Sequence, residues 1–163
     1  MENKKINEQQ EQGETRELTV VDGQEFSIDQ YMFEDTLKQR QRNTFTTIDI
    51  STIEGKKQAF RCMSACDTPN EELRQNVFEV ENIFIHEVSL ADENTGERVK
   101  MARTVLVSPQ GKTTAFVSQG VLTSLQNLVM LFGMPPWKPA LKVKVKEVIT
   151  RRKFRVYNLE LME

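Results

Sequence analysis

KTTAFVSQGVLTSLQNLVMLFGMPPWKPALKVKVKEVIT, residues 112–150, changes its hydrophobic period twice, and the fold turns on those changes. KTTAFVS reads as a strand. Val121, Leu122, Leu125, Leu128, Val129 and Phe132 then recur at helical spacing. Ser118 is placed to start that helix, Gly133 to stop it, and Pro135-Pro136 forbids continuation. From Ala140 the period becomes two, with Leu141, Val143 and Val145 on one side and Lys142, Lys144 and Lys146 on the other. A single helix is thus entered from a strand and left into a strand.

Working outward, RRKFRVYNLELM (151–162) is predicted to pair with the lysine strand after a tight turn near Thr150-Arg151-Arg152. Its parity slips. Phe154 and Val156 share one face while Tyr157, Leu159 and Leu161 share the other, so a bulge or burial on both faces is expected. Upstream, VFEVENIFIHEVSL (77–90) reads as one long strand, with Phe78, Val80, Phe84, Val88 and Leu90 on one face and Ile83 and Ile85 on the other. RVKMARTVLVSP (98–109) is the next strand, its apolar face interrupted by Arg103. FTTIDISTI (45–53) and QAFRCMSAC (58–66) read as the arms of a hairpin, and EELRQ as a helical turn.

The expected class is therefore β-rich with one helix. A helix between the third and fourth strands of a five-stranded antiparallel unit is the pattern of the OB-fold, a partly open Greek-key barrel. That domain is assigned to residues 41–163. Residues 1–40 read as an acidic tail or docking segment: 1–24 are polar and predicted disordered, and 25–43 carry enough apolar residues for a short helix or a docking segment.

Charge is sorted along the chain. The balance is −7 over residues 1–35, −4 over 36–97 and +9 over 98–163. A basic C-terminal region on a nearly neutral chain points to a polyanion. No apolar run approaches the roughly 20 residues of a membrane helix, and the N-terminus has no secretory h-region, so a cytoplasmic protein is expected. Two cysteines form no disulfide framework.

The basic and aromatic residues are the strongest chemical signal. OB-folds hold single strands with cations that track phosphates and rings on which bases stack. The candidate residues are Arg98, Lys100, Arg103, Lys138, Lys142, Lys144, Lys146, Arg152 and Arg155 for phosphates, with Phe116, Trp137 and Tyr157 for bases. Lys112, Arg151 and Lys153 extend the first set, Phe60 and Phe84 the second. Each has a plainer reading. Outward lysines on a half-buried strand are usually a solvated face, and phenylalanines in strands are usually core. The conjunction of one-sided charge, strand order and the placed helix is what carries weight. Cys62, Cys66 and His86 fall short of the four ligands of a structural zinc site, so no metal and no cofactor is expected. With one histidine, and neither G-x-S-x-G nor a phosphate loop, no enzyme is expected.

Residues 77–161 resemble the single-stranded DNA-binding proteins of tailed bacteriophages and conjugative elements of low-GC bacteria. The likeness lies in VFEVENIFIHEVSL, NTGERVKMARTVLVSPQGKTTAFVS, SLQNLVMLFGMPPW and LKVKVKEVITRRKFRVYNLEL. The resemblance implies an OB-fold, sequence-independent binding of single-stranded DNA, and a role in replication or recombination, with the basic residues of 98–107 and 142–155 on the DNA. Replication or recombination proteins are the expected partners of the acidic tail. The rival expectation is a structural β-barrel protein of a virion or conjugation assembly, whose basic face meets a protein.

Overall fold

The computed structural model describes residues 17–21, 24–28, 30–64, 66–68 and 70–163, and divides into two units, Met1–Gln41 and Arg42–Glu163. In the first unit, β1 (Glu17–Val21) pairs antiparallel with β2 (Gln24–Ile28), and α1 (Gln30–Arg42) follows. β1 lies where composition predicted a disordered tail, and β2 lies at the start of the stretch read as a short helix or docking segment. Averaging over acidic residues hid the local pattern: Asp22-Gly23 separates two β-prone runs, the usual wording of a hairpin. The rest of the predicted tail, residues 1–16, lies outside the described residues.

The second unit runs β3 (Thr44–Thr46), α2 (Ile53–Ser64), α3 (Asn70–Leu73), β4 (Phe78–Val80), β5 (Asn82–Ala91), β6 (Arg98–Val107), β7 (Thr113–Phe116), α4 (Gln119–Phe132), β8 (Leu141–Ile149) and β9 (Arg155–Leu161). Two antiparallel sheets result, in the orders β3-β5-β6-β7 and β4-β8-β9. The fold is β-dominated but not a closed barrel, because β7 and β9 do not pair. Instead α4 lies along β9. Ser118 Oγ donates to the Tyr157 carbonyl at 3.0 Å, and the Leu159 amide donates to Ser124 Oγ at 3.1 Å. Side chains of α4 thus satisfy the edge strand that barrel closure would have satisfied. Gly120 permits the approach, since a Cβ there would collide with the Tyr157 carbonyl and the Asn158 side chain.

The predicted hairpin of 45–66 is corrected: only Thr44–Thr46 is strand, and residues 53–64 are helix. Gly55, Ala59 and Cys62 are its buried residues, spaced four and three apart. Thr52 Oγ1 accepts from the Gly55 amide at 3.0 Å, an N-cap bond that β-branched propensity masked. The long strand of 77–90 is also corrected. It breaks at Glu81, so β4 pairs with β8 while β5 pairs with β3 and β6. The break shifts parity: Phe78, Val80 and Ile83 share one core with Leu106, Phe116, Leu125, Trp137, Val143 and Val145. Phe84 enters a second core under α2 with Ile48, Ala59, Cys62, Val105 and Val107. In β9 there is no bulge. The register runs unbroken from Val143 opposite Leu161 to Ile149 opposite Arg155, and both faces are partly buried.

Candidate nucleic-acid interface

β8 alternates between core and solvent because its valines, Val143 and Val145, fill the main core. That pins Lys142, Lys144 and Lys146 to the opposite face. Glu79 stands across from Lys142, Glu160 from Lys144 and Asn158 from Lys146, yet none of the three lysines forms an ion pair among the described residues. The β8–β9 turn then exposes Arg151, Arg152 and Lys153. The turn closes through Thr150 and Phe154: each amide finds an oxygen of the other residue, and the Lys153 amide donates to the Thr150 carbonyl at 2.9 Å. Phe154 stands out from this tip, 66% exposed, beside an exposed Ile149.

Other expected cations are already engaged. Lys100 Nζ lies 3.2 Å from Glu87, and Lys138 Nζ 3.5 Å from Glu81. Arg98 sits on the exposed end of β6. Arg103 turns inward. Its Nη1 donates to the Cys62 carbonyl at the end of α2 and to His86 Nε2 at 3.1 Å, and its Nη2 to Cys66 Sγ at 3.1 Å. An arginine only donates, so Nε2 carries the lone pair. The charge that interrupted an apolar face is therefore a helix C-cap, and not a free phosphate contact.

The expected stacking rings are corrected more sharply. Phe116 is 2% exposed and Trp137 5%, both within the main core. Trp137 Nε1 donates to the Gly133 carbonyl at 2.9 Å, fastening the proline loop to the end of α4. The peptide bonds Pro135-Pro136 and Lys138-Pro139 are cis. Neither ring has a face open to a base. Phe84 is core as well, while Phe60 is exposed on α2. Tyr157 is half-buried, with Arg74 over its ring at 5.2 Å.

Two residues of this region escaped the sequence reading, Arg74 and Glu147. Arg74 lies in an acidic stretch 73 residues before Glu147, and no periodicity links them. Phe154 was read as a strand residue, though its place directly after Arg-Arg-Lys was the available signal.

A family model described as Phage Single-stranded DNA-binding protein matches residues 38–162. The chain belongs to this family. The match covers all of β3 to β9 and therefore the whole β8–β9 hairpin. No curated protein and no solved structure matches. Among the described residues no helix is long and apolar enough to cross a membrane.

Proposed function

We propose that this protein coats single-stranded DNA without regard to base sequence during phage DNA replication or recombination, through the β8–β9 hairpin of an OB-type domain. The hairpin carries the reading: between Lys142 and Arg155 there are seven cations and one carboxylate, inside the part of the chain the family covers. Lys142, Lys144, Lys146, Arg151, Arg152 and Lys153 neutralise phosphates, and Phe154 and Tyr157 supply rings. The OB-type assignment is supported by connectivity. Residues 78–91 are one bent run shared by both sheets, and β6, β7, β8 and β9 complete five strands with α4 between the third and fourth. The acidic first 35 residues are left to dock replication or recombination proteins in the host cytoplasm.

The test is fluorescence anisotropy of a labelled oligothymidylate, a mixed-sequence single strand and the matching duplex, each over a salt series. Similar affinity for both single strands, weaker binding to duplex, and steep loss with salt are expected. Binding that is insensitive to salt, or absent, refutes the reading and favours a protein-binding β-domain.

A further inference from the structure

Glu147 is shared by two arginines. Its Oε2 lies 3.3 Å from Arg74 Nη1 and its Oε1 3.3 Å from Arg155 Nε. Arg74 Nη2 also donates to the Tyr157 hydroxyl at 2.6 Å, and its guanidinium lies over the Tyr157 ring. The register fixes the group: Glu147 stands opposite Tyr157, and Arg155 opposite Ile149 on the same face. Arg74 arrives from the segment just after α3.

Two cations against one carboxylate leave a net charge of +1 at the cluster. Its members are partly exposed, with side-chain exposures of 38% for Arg74, 24% for Glu147 and 69% for Arg155. Pairs this wet are weak locks, and screening weakens them further. A carboxylate offers one oxygen to each guanidinium here, and the two non-bridging oxygens of a phosphodiester make the same offer with a full charge. We propose that Arg74 and Arg155 form a phosphodiester subsite which Glu147 occupies in the free protein and yields to a single strand. This rests on the reading that the protein binds single-stranded DNA. It adds Arg74 to the interface and makes Glu147 a built-in competitor. The cluster lies on the other face of β8 from Lys142, Lys144 and Lys146, so DNA engaging both passes over the Arg151–Lys153 turn.

Glu147→Gln keeps the shape and removes the competing charge. Measured by anisotropy with oligothymidylate, it is expected to bind about 2- to 10-fold tighter at moderate salt, and to steepen the dependence of log K on log salt by about 0.7, one phosphate equivalent. In an Arg74→Ala background the same change should gain much less. Glu147→Asp, which draws the carboxylate back, should shift affinity the same way by less. Equal or weaker binding by Glu147→Gln, at an unchanged melting temperature and with wild type still binding, overturns the proposal. If both Glu147 variants fail to fold, the cluster is a structural clamp and the proposal is equally overturned. Salt-insensitive binding or none by wild type instead sinks the DNA-binding reading itself.

Discussion

Replacing Lys142, Lys144 and Lys146 together by glutamine removes three cations without touching the core. Their side chains face away from Val143 and Val145, and no ion pair among the described residues depends on them. Each phosphate neutralised on a single strand contributes about 0.7 to the slope of log K against log salt, so the variant should lose a slope of about 2. Electrostatic contributions vanish near 1 M salt, and a slope of about 2 carried down to about 0.1 M is a hundredfold in affinity, or about 2.8 kcal/mol. Anisotropy titrations with an oligothymidylate over that range measure both quantities. Near-UV circular dichroism and the melting temperature should stay close to wild type, since exposed charge changes cost within about 0.5 kcal/mol. An unchanged slope in a folded variant would refute the argument that these lysines face DNA, and would move the interface to the Arg151–Phe154 turn.

The buried Trp137, the sole tryptophan, should emit at short wavelength, resist acrylamide, and be little quenched by DNA; Trp137→Ala should cost about 3–5 kcal/mol in chemical denaturation. Gly120→Ala pushes a methyl group at the Tyr157 backbone carbonyl, which cannot rotate away, so a loss of about 1–3 kcal/mol in the same assay is expected, as for other overpacking changes. Burial pushes the Cys62 thiol up from 9.0 to about 11, with the neighbouring Cys66 adding to the shift. The value is raised in the folded state. The stabilising contribution of the neutral thiol is therefore whole below pH 9 and is lost as pH rises toward 11. Thiol labelling at pH 8 should modify Cys66 well before Cys62, and equal rates would contradict the packing of α2.

Where a residue's role depended on its near neighbours, the sequence was legible. α4 runs between Ser118 and Gly133 as the sequence marked it, with the Gly133 amide closing the last turn on the Val129 carbonyl, although the Ser118 hydroxyl goes to Tyr157 rather than to its own helix, and β8 was readable because its valines and lysines alternate without a fault. The order of strands from 78 to 161 followed from the same local periods. The errors came where the pattern of one stretch was carried into the next. The β-branched run of 45–53 suggested a hairpin and carried the strand reading into residues 58–66, yet Ala59 and Cys62 pack from one helical face against Phe84 and Val105. Beyond Ile53 and Phe60 the segment is built mostly of helix formers such as Lys56, Lys57, Gln58, Ala59 and Arg61, so its own propensity agrees with the helix that burial selects.

The sequence by itself determined that this is a β-rich chain with a basic C-terminal hairpin facing away from the core, because alternation and charge are properties of neighbouring residues. Only the tertiary structure decided which cations and rings are free. Arg103 is spent on the end of α2, Trp137 on closing the core, and Arg74 and Arg155 on Glu147, and Arg103 and Arg74 reach partners 41 and 73 residues away, which no local pattern spans. Whether a charge meets solvent or a carboxylate depends on which strands become neighbours, and that is settled when the core is buried.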